Sequence, residues 1–456
     1  MDPAAEVFAK VDPGPPLRLR LSAGSGPARD YRLADAASHQ AWLDLFDAVA
    51  RAFGTRRPLA RQAAPALGDA SPLRPVLVHP VDPRILYGYG DPCVVQVGVR
   101  DYRLLVTSND APDAFPILAS NDLEHWRMSG FVFPAGAGPG WALTGAEISD
   151  FWAPELHRVG HEWWVCFTAR ERDRSLSIGM ARAPSPDGPF VPDPEPLVTG
   201  GVIDSHILQD ADGGAWLVWK QDANDRWPRA LAALLSVRPG LAPQLFQGED
   251  LLTARLQMAL WPWTRALEPM PQFFVLQTLV EAVGEDLDGF EARLTQALAD
   301  GAGGDASTAR EILAQLRTRI LAQRLSPDGR ALQGEPAVIL QNDLAWEGHL
   351  IEGVWITPAD GRYHLLYAGN DFSTSRYGIG AAVADRPAGP YRKQGRPMLS
   401  STGAWWGPGH PSVARAPDGG WRIFLHAFKP PNAGYKAFRA LLTAPLGLTV
   451  DGPQPG

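Results

Sequence analysis

The chain has only two cysteines, Cys93 and Cys166, in 456 residues. Two cannot build a disulfide framework, and neither sits in a metal-ligand spacing. Both lie in strand-like runs and are expected as buried free thiols. Basic residues are not in excess: 42 Lys and Arg stand against 50 Asp and Glu, for a net charge of −8. That excludes a nucleic-acid partner recognised through a basic face. There is no apolar run of about 18 residues, so neither a membrane span nor a membrane partner is expected. The opening residues, MDPAAEVFAKVDPG, show no basic n-region and no apolar h-region. No signal peptide is therefore expected, and a cytoplasmic location follows.

What is present is apolar bulk and turn formers. Hydrophobic residues make up 45% of the chain, enough for a sizeable core, and 46 Gly and 43 Pro are spread along it. That mixture fits many strands joined by tight turns. The sixteen Trp are many for this length. Most are expected in packing, and some as platforms for the apolar faces of sugar rings.

One unit recurs five times: DPCVVQVGVRDYRLLVTSN from Asp91, APELHRVGHEWWVCFTAR from Ala153, DSHILQDADGGAWLVWK from Asp204, EGVWITPADGRYHLLYAGN from Glu352 and HPSVARAPDGGWRIFLHAF from His410. Each reads as a strand, a turn and a second, aromatic strand, with DG-type turns marking hairpins. A third strand follows in most copies, as in SIGMARAPSPDGPF, ILAQRLSPDGRAL and GIGAAVADRPAGPY. Repeated antiparallel strands without alternating helices imply a propeller. The expected fold is all-β: a five-bladed β-propeller over residues 76–456, with a helical insertion at 229–316 in blade three. The insertion carries apolar residues at spacings of three and four over Leu251–Leu260, Phe273–Val283, Leu287–Leu298 and Ala309–Leu321. It reads as a rim spacer, or as a lid or oligomer contact. Residues 1–75 read as a small α+β appendage and linker. There PLRLRL alternates like a strand, and DAASHQAWLDLFDAVARAFG is amphipathic.

Aligned at their first residue, the five units hold Asp91, Ala153, Asp204, Glu352 and His410. In a propeller the innermost strands start near the axis, so equivalent positions converge on one pocket. Converging carboxylates repel one another and cost desolvation, which points to chemistry rather than packing. Glycoside hydrolysis needs such a set. One acid donates a proton to the leaving oxygen, one carboxylate activates water, and a third beside the acid raises its pKa.

The motifs GDPCVV, FWAPELH, VIDSHI, EGHLIEGVWI and GPGHPSV, in that order over about residues 80 to 450, make the sequence resemble glycoside hydrolase family 43. The resemblance implies an inverting hydrolase of α-L-arabinofuranosides or β-D-xylosides, releasing arabinose or xylose from short plant-type oligosaccharides. It implies Asp91 as general base, Glu352 as general acid and Asp204 as the pKa modulator. His410 matches a histidine that helps hold a central ion, such as calcium, through water; no other cofactor is expected. Arg439, in FRALLTAPL, matches an arginine that reaches the sugar. Phe151, Trp152, Trp346 and Trp406 flank the motifs, as blade packing or as substrate-binding pocket wall. His206 and His349 are expected as hydrogen-bonding neighbours, His206 on the substrate side. The third motif reads IDSH where IDPH is frequent. The competing readings are a non-catalytic sugar-binding propeller and a propeller hydrolase of another glycan. Galactan and fructan are the candidates, although a WMNDPN-like start and an RDP motif are both missing.

Overall fold

The computed structural model describes residues 6–456 apart from 13, 15, 34–40, 42–44, 46–47, 50, 54–71, 146–149, 225, 268, 300–305 and 435. Most of the helix expected in DAASHQAWLDLFDAVARAFG, and most of the linker after it, lie outside the described residues. The chain divides into two compact units, one of residues 1–63 and 223–317, the other of 64–222 and 318–456.

In the first unit, β1 (Val7–Asp12), β2 (Leu17–Ala23) and β3 (Arg29–Leu33) form an antiparallel sheet in that order. Leu17, Leu19, Leu21 and Ala23 are buried while Arg18 and Arg20 face water, the period of two that half-buries a strand. The same unit holds α1 (Arg226–Val237), α2 (Ala242–Leu245), α3 (Gly248–Thr264), α4 (Pro269–Gly284), α5 (Leu287–Ala299) and α6 (Ala306–Gln315). Trp227, Leu231 and Leu235 of α1 bury one stripe with Leu279 and Val283 of α4 and Phe290 and Leu294 of α5. α3 also packs on β1. The segment expected as an appendage and the helical stretch thus share one unit. The last helix stops at Gln315 rather than running to Leu321. Arg319–Leu325 is a strand instead, because backbone pairing to a neighbouring strand outweighs the helical spacing of its leucines.

The second unit is all-β. Its strands are β4 (Arg74–Leu77), β5 (Cys93–Gly98), β6 (Asp101–Leu105), β7 (Ser108–Asn109), β8 (Ala114–Ser120), β9 (Arg127–Phe133), β10 (Asp150–Val159), β11 (Glu162–Arg170), β12 (Leu176–Ala183), β13 (Val191–Pro192), β14 (Val202–Gln209) and β15 (Ala215–Gln221). After the helices come β16 (Arg319–Leu325), β17 (Leu332–Gln341), β18 (Ile351–Ala359), β19 (Arg362–Gly369), β20 (Gly378–Ala384), β21 (Arg392–Lys393), β22 (Trp406–Arg415), β23 (Trp421–Phe428), β24 (Arg439–Thr449) and β25 (Gly452–Pro455). They make five antiparallel sheets, ordered β5-β6-β8-β9, β13-β12-β11-β10-β7, β14-β15-β16-β17, β18-β19-β20-β21 and β22-β23-β24-β25. The helices fall between β15 and β16, which pair directly. The fourth strands carry little sequence signal, since β13 and β21 are two residues each.

The first strands of the sheets touch in a closed cycle: β5 with β10, β10 with β14, β14 with β18, β18 with β22 and β22 with β5. The chain's early strand is tied to its last sheet. β4 pairs with β24 at Leu77 and Leu441. Tyr89 N–H donates to the Arg439 carbonyl at 2.7 Å, and Arg439 N–H donates to that of Tyr87 at 3.1 Å.

Between the first two sheets lies an aromatic cluster. Phe115, Phe133, Phe151 and Phe167 pack with ring centroids 5.2 to 6.3 Å apart. Trp141 stacks on Phe167 at 6.1 Å. Phe151, expected as blade packing or as substrate-binding pocket wall, is only 3% exposed inside this cluster and takes the packing place. Its place one residue before Trp152 on a strand turns it to the opposite face. Phe167→Ala is expected to cost about 3–5 kcal/mol through the cavity it leaves. Urea unfolding measures this as a lower midpoint at unchanged slope.

Candidate active site

The innermost strands break register at equivalent places: Trp152/Glu155 on β10, Ile203/His206 on β14, Glu352/Trp355 on β18 and Gly409/Ser412 on β22. Each break holds a residue at positive φ: Ala153 at 44°, Asp204 at 56°, Gly353 at 57° and His410 at 47°; Asp91 has 52° just ahead of β5. A bulge of this kind re-aims the side chain at the strand start. Left-handed backbone is uncommon for residues other than glycine, and it clusters at functional sites.

This corrects the repeat alignment. Glu352 was aligned with Asp91 and Asp204, but the bulge position of that unit is Gly353. Glu352 stands one place earlier, level with Trp152, Ile203 and Gly409, and with Gly90 before Asp91. Two of those places are glycines for a steric reason. A Cβ on Gly90 would lie 1.7 Å from Cζ of Arg439, and one on Gly409 would lie 1.8 Å from Cε1 of Tyr377. The guanidinium and the phenol fill the space that side chains take in the other repeats.

Asp91 is held as an anion. Arg439 Nη1 donates to both its oxygens, at 2.9 and 3.0 Å, and the Thr107 hydroxyl donates to Oδ2 at 2.5 Å. His410 Nδ1 and His426 Nδ1 each lie 3.5 Å from Oδ1. Burial alone would raise the carboxyl. Arg439, then the two histidines and Thr107, outweigh it and hold the group well below the ordinary carboxylate range.

Asp204 and Glu352 are shifted the other way. Asp204 is 9% exposed, and its Oδ2 accepts from Gly353 N–H at 2.9 Å. Burial, reinforced by the Asp91 charge, pushes it up to about 7 although Lys220 opposes. Glu352 is also 9% exposed, and burial raises it, with Lys220 opposing and Asp204 reinforcing. Lys220 Nζ lies 2.8 Å from Glu352 Oε2, and Tyr377 O–H donates to Oε1 at 2.9 Å. His410 Nδ1 lies 3.9 Å from Asp204 Oδ2 as well as facing Asp91, so one imidazole links two of the three acids.

Beneath them runs a buried chain of polar groups. Glu155 Oε2 meets His206 Nδ1 at 2.7 Å and His157 Nε2 at 2.8 Å, and Ile356 N–H donates to His206 Nε2 at 3.2 Å. Burial drives His206 down to about 3, so it is neutral. Both its nitrogens are engaged and its ring is 5.0 Å from that of Trp355, which makes it a supporting group rather than a sugar contact.

These residues bear on a directly ligated central ion. Among the described residues, one group of His, Cys, Asp and Glu side chains has ligand atoms within 4.8 Å of one another: Glu155, His157 and Cys166. His410 is not in it. Calcium takes six to eight oxygens, and this group offers one carboxylate, whose Oε2 already meets two imidazoles. This group does not fit directly ligated calcium, an arrangement distinct from an ion held by His410 through water.

The remaining expected residues have packing or hydrogen-bond partners of their own. Trp152 is half-buried; its indole N–H donates to Asn109 Oδ1 at 2.6 Å and Arg170 lies 5.1 Å over its ring. Trp346 packs on Tyr367, ring centroids 5.8 Å apart. Trp406 is buried where β22 pairs with Phe428. His349 is buried, and burial lowers it. Cys93 and Cys166 are buried free thiols. Sequence reasoning missed Lys220, Tyr377, Thr107 and His426. Only Lys220 left a trace, as a lone charge in the apolar strand AWLVWK, where burial is costly without a partner.

Comparison with known proteins bears on this site. The family profile described as "Glycosyl hydrolases family 43" matches residues 82–236 and 307–453. A xylosidase/arabinosidase 43A of Humicola insolens is 35% identical over 68 residues, 15% of this chain and 21% of that protein. The matched stretch is thus about a fifth of that relative. A thermostable family-43 glycoside hydrolase superposes with a TM-score of 0.55 at 24% identity, over 81% of this chain and 92% of its own. An endo-arabinase of Bacteroides thetaiotaomicron gives 0.51 at 17% identity, over 83% and 98%. At these identities the structural likeness is one of fold.

The Asp204 shift sets a pH dependence. Unfolded, an aspartate ionises near pH 4; folded, Asp204 does so near 7. Between those values the folded chain keeps a proton that the unfolded chain has lost, so stability falls as pH rises through the window. Asp204→Asn removes that loss. The variant is expected to gain about 1–4 kcal/mol on the wild type between pH 4 and 7. In thermal melts the Tm difference should widen up to pH 7 and then level; a constant difference would reject the assignment.

Proposed function

The chain belongs to glycosyl hydrolases family 43, and on that basis we propose that this glycoside hydrolase is an inverting enzyme that releases arabinose or xylose from short α-L-arabinofuranosides or β-D-xylosides. Its catalytic unit is read as a five-bladed β-propeller, one blade per sheet, whose third blade carries the helices as an insertion. The break in the family match between residues 236 and 307 supports the insertion.

The observation that carries the mechanism is the unequal pairing of clustered carboxylates: Asp91 meets Arg439 through both oxygens, while buried Asp204 and Glu352 have only one ammonium, Lys220, near them. Groups whose surroundings push their pKa values apart divide into base and acid. Asp91, held ionised by Arg439, takes the proton of the attacking water. Glu352, raised by burial, keeps a proton for the leaving oxygen. Asp204, beside the acid, titrates near 7, and the charge it gains there helps keep Glu352 protonated as pH rises. Arg439 and His410 fix the base side, and Trp152, locked by Asn109 and Arg170, offers a ring face for the sugar. The xylosidase/arabinosidase relative supports the choice of sugars.

The test is hydrolysis of p-nitrophenyl α-L-arabinofuranoside and β-D-xyloside against alkyl or oligosaccharide glycosides of the same sugars. Glu352→Gln should slow poor leaving groups by about 10²–10⁴-fold and activated aryl glycosides far less. Asp91→Asn should slow both. Equal losses on both substrate types in Glu352→Gln would remove it from the acid role. No release from any substrate by wild type would favour a binding-only propeller or another glycan.

A further inference from the structure

Lys220 is fully buried at the end of β15, level with Ile203 across the strand pair. Its Nζ lies 2.8 Å from Glu352 Oε2 and 3.2 Å from Asp222 Oδ1. With Tyr377 O–H on Oε1, both oxygens of Glu352 face donors. That suits a carboxylate. When Glu352 is protonated, one of the two donors must give way.

The two donors are not equivalent. An ammonium has three N–H bonds and no lone pair, whereas a phenol can turn and accept. Lys220 therefore always requires an acceptor, and the better acceptor of a neutral carboxyl is its carbonyl oxygen. We infer that Lys220 is the positioning residue of the acid: it holds Glu352 by Oε2 and leaves Oε1 to carry the proton delivered to the substrate. This rests on the reading of Glu352 as general acid. As the glycosidic C–O bond breaks, its electron pair goes to the leaving oxygen, which takes the Oε1 proton. Water oxygen bonds to the anomeric carbon and loses its proton to Asp91. Glu352 is then a carboxylate with Lys220 and Tyr377 both donating to it, so the developing charge meets donors already in place.

The charged and titratable groups around Lys220 and Glu352 are Asp204 on β14, Asp222 just after β15, His349 ahead of β18, Tyr377 ahead of β20, with Asp91 acting on it in turn, and His410 on β22, which packs on Gly353. Lys220 favours the ionised form of Glu352 against the burial that raises it. Removing the ammonium thus extends protonated Glu352 to higher pH.

The experiment is the pH profile of kcat/KM for wild type, Lys220→Met and Lys220→Arg, on an aryl glycoside and on an alkyl glycoside of the same sugar. Lys220→Met should move the alkaline limb up by about one pH unit. It should also slow the alkyl glycoside about tenfold or more at neutral pH while sparing the aryl glycoside, because the proton is no longer confined to one oxygen. Lys220→Arg should keep the wild-type limb. A Lys220→Met enzyme with an unmoved limb and equal loss on both substrates would overturn the inference and leave Lys220 a structural ion pair. Should that variant not fold, Lys220→Met/Asp222→Asn removes a cation and an anion together and carries the same readout. If Glu352→Gln shows no leaving-group dependence, the acid assignment itself fails; if it does and the Lys220 limb stays fixed, only the present inference fails.

Discussion

At Asp91, Ala153, Asp204 and His410 the backbone takes a left-handed φ that costs an L-residue about 1–2 kcal/mol. The same kink, made by glycine at Gly353, recurs at the start of all five innermost strands. Everything in the site hangs on it. The kink turns the bulge residues out of the pleat, so that His410 Nδ1 comes within 3.9 Å of carboxylates from two other sheets. It also brings the preceding residue level around the ring. There Trp152, Ile203 and Glu352 supply their own side chains, while Gly90 and Gly409 make room for Arg439 and Tyr377.

The electrostatics follow from a shortage of cations. Asp91, Asp204, Asp222 and Glu352 share two close ones, Arg439 and Lys220. Arg439 is committed to Asp91 by a two-oxygen contact. Lys220 is divided between Glu352 and Asp222 and also lies near Asp204. One carboxylate is fully compensated and the other three share a single ammonium; burial then lifts Asp204 and Glu352 while Asp91 stays ionised. Base and acid character therefore come from where two long cationic side chains are spent, not from the carboxyl groups themselves.

Much of this was legible in the sequence because the repeat is a period of strands, and strand period is written in apolar alternation. Four of the five unit starts, the three acids as a set and the helical stretch could be read. The single-residue offset of Glu352 could not, because a bulge leaves no mark when its residue is glycine. Lys220 and Tyr377 were hidden for a related reason: their partners are far along the chain, 132 and 25 residues from Glu352 itself in separation. Phe151 stayed open between packing and pocket wall because aromatic residues look alike on either face of a strand until the neighbouring sheet is known. The end of the last helix was misjudged where apolar spacing suits both a helix and a buried strand, and pairing with β15 decided between them.

The tie between residues 74–89 and β24 has a consequence for the order in which the protein is made. Asp91 leaves the ribosome before Arg439, its counter-ion, which is translated 348 residues later. Arg439 is held from both sides by the backbone of Tyr87 and Tyr89, so the residues that close the ring also complete the base. A nascent chain that has threaded its first four sheets has all three acids yet lacks the charge that keeps Asp91 ionised. Completion of the site and closure of the ring are then a single event, and it waits for the last sheet.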